Sequence, residues 1–262
     1  MKTALITGAS GGIGYELAKR CVKDHERIVL VARDEEKLQQ VALDVKALGA
    51  SEAIVLAKDL SMPHAAREIA LELYERGIVL DALVNNAGYG LSGAFADLNV
   101  DDQLNMLTLN TFALTELTHA ILVTMLARHS GRILNVASTA AFQPGPMMAV
   151  YYASKAYVLS FSEAIADEVR GSGVSVTCLC PGATRTEFQD RAGMTASRLF
   201  KSGAVMQPDA VARVGYRAMM RGQALAIPGP LNIAMTFSTR LAPRAVVTKI
   251  ARIANSRDEL PV

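Results

Sequence analysis

An apolar run, Thr3–Thr7, breaks into Gly8-Ala9-Ser10-Gly11-Gly12-Ile13-Gly14, and helical spacing takes over from Gly12 to Lys23. A strand turned straight into a helix through glycines commits the chain to a β-α unit, and the alternation then continues. Strand-like runs recur at Arg27–Val31, Ala53–Leu56, Ala82–Val84, Arg132–Val136, Val174–Leu179 and Ala224–Ile227. Helical spacing covers Asp34–Leu48, Pro63–Arg76, Asp101–Arg128, Tyr151–Arg170 (stopped by Gly171) and Pro208–Arg221. Strands joined by helices must pair in parallel. Their nearly unbroken apolar character suits a sheet covered on both faces. The expected fold is α/β: a doubly wound parallel sheet of about seven strands, helices on both faces, in one domain over residues 1–262. Two segments break the rhythm. Residues 183–207 have weak periodicity between a strand end and a helix, and residues 231–256 form an apolar, basic C-terminal helical extension.

The totals exclude several functions. With 51% hydrophobic and 20% charged residues the chain can bury a large core. A net charge of +2 without like-charge blocks gives no reason to expect nucleic acid. Cys21, Cys178 and Cys180 follow no disulfide framework and read as reduced thiols of a cytoplasmic protein. Cys178 and Cys180 alternate on an apolar run and should share one side of a buried strand. The four histidines offer no metal-ligand spacing. Met1-Lys2 runs directly into the first strand, which leaves no room for a cleavable signal. No run of about 18 uncharged apolar residues argues for a membrane span.

Two groups carry chemistry. Gly8 permits a tight turn, Gly12 close backbone approach to a pyrophosphate, and Gly14 close helix–strand packing. The helix N-terminus adds free N–H groups and positive partial charge for phosphate. Tyr151 and Lys155 stand four apart and can share a helix face. A neighbouring ammonium favours phenolate and would lower the tyrosine pKa, making a proton donor and acceptor. Tyr152, three residues before Lys155, is the rival. At the end of the second strand, Arg33 suits a 2′-phosphate and Asp34 a ribose hydroxyl or a helix cap. NADP(H) is therefore expected over NAD(H), with NAD(H) kept open.

These motifs, in this order, resemble the short-chain dehydrogenase/reductase family, its single-domain branch, from Thr3 to about Ile227. Thr7–Gly14 is similar to its Thr-Gly-x-x-x-Gly-x-Gly turn, and Asn85-Asn86-Ala87-Gly88 to its Asn-Asn-Ala-Gly signature. The resemblance implies a Rossmann-type fold and cofactor contacts from Gly8, Ser10, Gly12, Ile13, Gly14 and Arg33. It adds Asp59 and Leu60 near adenine, then Asn86, Ala87 and Gly88. Tyr151, Lys155, Pro181, Gly182 and Thr186 complete the nicotinamide end. It assigns catalysis to Asn110, Ser138, Tyr151 and Lys155, and so chooses Tyr151 over Tyr152. Ser138, thirteen positions before Tyr151, would bond the substrate oxygen, and Asn110 would hold a water leading from Lys155 to solvent. Ser10 and Gly11 depart from members that carry a basic residue in the turn and prefer NADP. The family's usual dimer packs the long helices around Asn110 and Tyr151, which implies a homodimer or homotetramer.

Loops beyond the strand ends should meet the substrate. Ser138, Phe142, Met148, Tyr151 and Phe188 are the expected substrate contacts, with Leu91, Phe95, Pro144, Met147, Met194, Leu199, Phe200 and Met206 nearby. Their character favours a small-molecule ketone, aldehyde or alcohol on an apolar body. Glu187, Arg191 and Arg198 are candidates for a polar group on it. The basic extension Leu231–Ser256 has three readings: its own pocket, a partner subunit, and peripheral contact with an anionic membrane, the last not favoured. Its end, Arg257–Val262, is no retrieval signal, because the Glu259-Leu260 pair is not terminal. A catalytically silent dinucleotide-binding sensor is the alternative function, against which the complete Asn110, Ser138, Tyr151, Lys155 set argues.

Overall fold

The computed structural model describes residues 1–193 and 205–256. Among the described residues the seven strands are β1 Thr3–Thr7, β2 Arg27–Ala32, β3 Glu52–Ala57, β4 Ala82–Asn85, β5 Gly131–Val136, β6 Val174–Leu179 and β7 Leu225–Ala226. They form one sheet in the order β3-β2-β1-β4-β5-β6-β7. Every pairing is parallel. This is the expected doubly wound Rossmann-type α/β fold. Strand order reverses between β1 and β4, and a crevice opens there beyond the strand ends.

The helices are α1 Gly12–Cys21, α2 Glu35–Ala47, α3 Ala65–Glu75, α4 Val100–Leu107, α5 Leu114–Ala127, α6 Ala149–Glu168 and the short α7 Phe188–Arg191. Then follow α8 Pro208–Met220, α9 Pro230–Ser238 and α10 Arg244–Asn255. Alternation along β1 shows why its strand is apolar throughout. Ala4 and Ile6 join a core with Leu17 of α1 and Val211 of α8. Leu5 joins the opposite core with Ile69 of α3 and Leu117 and Ile121 of α5. The cysteines follow the same logic: Cys178 and Cys180 are fully buried in one cluster with Val158 and Leu159 of α6.

Two local features answer open points. Asp34 caps α2, its Oδ1 accepting from the Lys37 N–H at 3.0 Å. The expected helix Asp101–Arg128 is interrupted by a π-helical segment, Thr108–Ala113, between α4 and α5. That wider turn carries Asn110, which is 1% exposed. By length and composition the helical stretch Val100–Ala127 could cross a membrane. The count of uncharged residues had argued against any such stretch; in the fold its Leu117, Ile121 and Met125 belong to the core beneath the sheet.

Gly14 shows how tightly the first unit is built. A Cβ there would run into the Gly8 carbonyl oxygen and stand 2.5 Å from Asn86 Nδ2, whereas one at Gly11 would meet nothing within 4 Å. Gly14→Ala should cost about 1–3 kcal/mol. Thermal unfolding should show a Tm lower by roughly 2–4 °C per kcal/mol. Gly11→Ala should melt like the parent.

Candidate active site

The site begins at the switch point. The Thr7 hydroxyl accepts from the backbone N–H of Asn86 at 2.9 Å and of Ala87 at 3.0 Å. Asn86 Nδ2 returns bonds to the carbonyls of Thr7 at 3.0 Å and Gly8 at 3.1 Å. The glycine turn is thus fastened to the end of β4. Gly8 has φ +63 and its missing Cβ leaves room for Asn86 and Ala87, 2.8 and 2.9 Å from where it would stand. Below, Asn85 Nδ2 donates to Thr118 and to Asn135 Oδ1, each at 2.9 Å, and Asn135 donates to Ser162 at 3.0 Å. This buried ladder ties β4, β5, α5 and α6, and its polar groups are satisfied as burial demands.

A cavity of about 1100 Å³ runs along the strand ends. Gly8, Ser10, Gly12, Ile13, Arg33, Asp59 and Leu60 line one part of it. Asn86, Ala87, Gly88, Ser138, Tyr151, Lys155, Pro181, Gly182 and Thr186 line the rest of it. Gly14 does not line it; its lack of a side chain serves packing against Gly8. Arg33 is 65% exposed in its side chain and stands 3.8 Å from the Asp59 carboxylate. Asp34 also lines the cavity, but its carboxylate is engaged by the Lys37 N–H and lies 3.9 Å from Lys37 Nζ. Glu187, considered for a substrate group, pairs with Lys37 at 3.2 Å and so closes the loop after β6 toward α2. Glycines where side chains would collide, a helix N-terminus and a continuous lining from Arg33 to Lys155 fit an elongated dinucleotide.

The candidate proton-transfer residues Tyr151 and Lys155 both stand in α6. Tyr151 is 8% exposed and Lys155 6%. Burial raises the Tyr151 phenol well above its ordinary range; a hydrogen bond with Ser138 opposes this, and Tyr152 adds to it. Burial is the largest influence on the phenol here and acts against the lowering expected from Lys155. Burial also lowers Lys155, to about 8. Its Nζ donates to the Val136 carbonyl at 2.9 Å and lies 5.9 Å from the Tyr151 ring centre. Ser138 Oγ accepts from the Ala140 N–H at 3.1 Å. Asn110 uses Nδ2 for the Tyr89 carbonyl and Ser154 Oγ, both at 3.0 Å, and Oδ1 for the Tyr89 N–H at 3.2 Å. It therefore binds the β4 loop to α6.

Around Tyr151 the apolar lining is Met148, Tyr152 and Phe188, with Gln143 as a polar neighbour. The Tyr151 and Phe188 rings lie 5.5 Å apart. A side chain at Gly90 would meet Phe188, Met148 and Tyr151, so its absence shapes the floor. Phe142 is not a lining residue: it packs into the cluster of Val158, Cys178 and Cys180 behind the strand ends. Phe95 is 65% exposed and lies off the cavity, as do Leu91, Pro144, Met147 and Met206. Met194, Arg198, Leu199 and Phe200 lie outside the described residues, as does Arg257–Val262. The own-pocket reading of the extension is met by Leu231, Met235, Ile250, Ala251 and Ala254, which line the cavity from α9 and α10, though the sequence singled out none of them. Their one available signal was the amphipathic spacing of the extension. α10 is anchored by Asn255, which accepts from the Tyr152 hydroxyl and donates to the Pro146 carbonyl, both at 3.0 Å.

A family model described as short chain dehydrogenase matches residues 2–196. The ketoacyl reductase HetN of Nostoc sp. is 33% identical over 223 residues, covering 83% of this chain and 75% of that protein. A short-chain dehydrogenase from Sphingobium yanoikuyae, solved in complex with NADPH, superposes with a TM-score of 0.82 at 32% identity, over 98% of this chain and 99% of that one. The bulky-bulky ketone specific alcohol dehydrogenase of Comamonas testosteroni gives 0.77 at 29% identity, over 92% of each chain.

The buried lysine has a thermodynamic consequence. Its folded pKa, about 8, lies below the ordinary 10.5, so between those values the unfolded chain binds more protons. Lys155 therefore makes stability rise with pH across that window. Denaturant unfolding at the two ends should show a smaller rise, or a steeper fall, in Lys155→Met than in the parent.

Proposed function

The chain belongs to the short-chain dehydrogenase family, and from that premise we propose that it interconverts a ketone or aldehyde and an alcohol on a mainly apolar body, with NADP(H) preferred over NAD(H). It is an oxidoreductase acting on CH–OH and C=O groups with a nicotinamide dinucleotide. The carrying observation is the junction of Ser138, Tyr151 and Lys155 at one end of a cavity whose other end is the glycine turn and Arg33. No observation favours the silent-sensor alternative.

When bound, the nicotinamide supplies or accepts the hydride. Tyr151 stays protonated at neutral pH because it is buried, so in reduction it gives its proton to the substrate oxygen. Ser138, hydrogen-bonded to Tyr151, orients that oxygen. Lys155 holds the nicotinamide ribose, and a pKa of about 8 suits it to return a proton to the phenol. Asn110 holds the β4 loop, and the family resemblance gives it the further role of holding a water leading from Lys155 to solvent. Gly8, Ser10, Gly12 and Ile13 cradle the pyrophosphate at the α1 N-terminus, and Asp59 and Leu60 border the adenine. Arg33 takes the 2′-phosphate, a reading supported by the capping role of Asp34. Met148, Tyr152 and Phe188 receive the apolar body. The names of the ketoacyl reductase and bulky-ketone relatives support such a substrate.

We read residues 1–262 as one dinucleotide-binding domain in a cytoplasmic homodimer or homotetramer. The exposed Phe112 and Tyr157 on the long helices support that assembly.

Tyr151→Phe should lower kcat roughly 10²–10⁴-fold while the Kd for cofactor hardly moves. Retained turnover would reject the assignment. The assay is a panel of ketones, aldehydes, steroids and β-ketoacyl thioesters followed by NADPH absorbance. Arg33→Ala should cut kcat/KM with NADPH roughly 10- to 100-fold more than with NADH. Equal losses would remove Arg33 from the phosphate.

A further inference from the structure

The segment from Leu231 to Ile253 makes up under a tenth of the described residues. It holds more than a third of their exposed large apolar side chains. Single exposed apolar residues are ordinary, but a cluster of them marks an interaction surface. On α10, packing on the body consumes Val247, Ala251 and Asn255. A second stripe, Val246, Ile250 and Ile253, is left 49%, 60% and 48% exposed. α9 adds Phe237 at 61%, and the connection adds Leu241 at 76%. Three of the segment's exposed residues, Leu231 and Met235 of α9 and Ile250 of α10, also line the cavity. The apolar patch is therefore the cavity's rim.

Charge identifies what covers it. Residues 231–256 contain Arg240, Arg244, Lys249 and Arg252 and no acidic residue. All four cations are exposed. None joins an ion pair among the described residues. A two-fold contact through this patch would bring like charges together, because an isologous interface sets a surface against itself. An anionic lipid surface suits both parts: apolar side chains enter the acyl boundary, and basic ones meet the headgroups. We propose that α9, α10 and their connection dock the protein on an anionic membrane surface, with the cavity mouth turned toward the lipid.

The test is co-sedimentation of the full-length protein with vesicles of phosphatidylcholine alone or with about 30 mol% phosphatidylserine. The protein should pellet with the anionic vesicles, much less with the neutral ones, and should be released as salt rises from about 50 to about 500 mM. Lys249→Glu/Arg252→Glu, two sites off the cavity lining, should lower partitioning at least about tenfold at unchanged Tm. Phe237→Ser/Ile253→Ser should lower it on the same vesicles. Equal pelleting with or without phosphatidylserine would overturn the proposal, and so would parent-like binding by both variants. A drop in molar mass of either variant by light scattering would show that a second copy covers the face, and would equally overturn it.

Discussion

The hydrogen bonds between the ends of β1 and β4 are what the site depends on. At the switch point the parallel ladder between β1 and β4 runs to Ile6 and Val84, and beyond it side-chain bonds take over. Thr7 accepts from two successive N–H groups of the Asn86-Ala87 turn, and Asn86 caps the carbonyls of Thr7 and Gly8. The glycine turn, the α1 N-terminus and the β4 loop thereby become one rigid edge. Gly14 lets the helix approach that edge closely. The Asn85–Asn135–Ser162 ladder carries the same fastening to β5 and α6, where Tyr151 and Lys155 stand.

Burial acts on both titratable groups of this junction. The same desolvation that raises the Tyr151 phenol lowers Lys155 to about 8. Both shifts favour neutral forms, as a low-dielectric wall must. Those forms agree with the roles proposed for the phenol as donor and the lysine as relay. The π turn at Thr108–Ala113 serves the same junction, since Asn110 reaches from it to Tyr89 and Ser154.

Much of this was legible in the chain. The strand runs, the glycine turn and the Asn110, Ser138, Tyr151, Lys155 set lay at readable spacings. Asp34 was read as either a ribose ligand or a cap, and its bond to the Lys37 N–H settles its local role as a cap. Phe142 and Met148 looked alike as apolar loop residues near the fifth strand. One faces the core of Cys178 and Cys180 and the other the cavity, because the turn after Ser138 directs them differently. Spacing within a loop carries no period from which that direction could be read.

The amino-acid sequence alone determined the alternating layers of this protein and the residue types that stand at its strand ends. Periodicity and glycine placement are local constraints, and a parallel α/β sheet follows from them. Only tertiary structure decided what closes the cavity. Asn255, more than a hundred residues from Tyr152, binds its hydroxyl and brings α10 over the substrate end. It also decided which apolar residues of the extension face the cavity and which stay outside. Such contacts depend on the packing of distant segments, which no local pattern encodes.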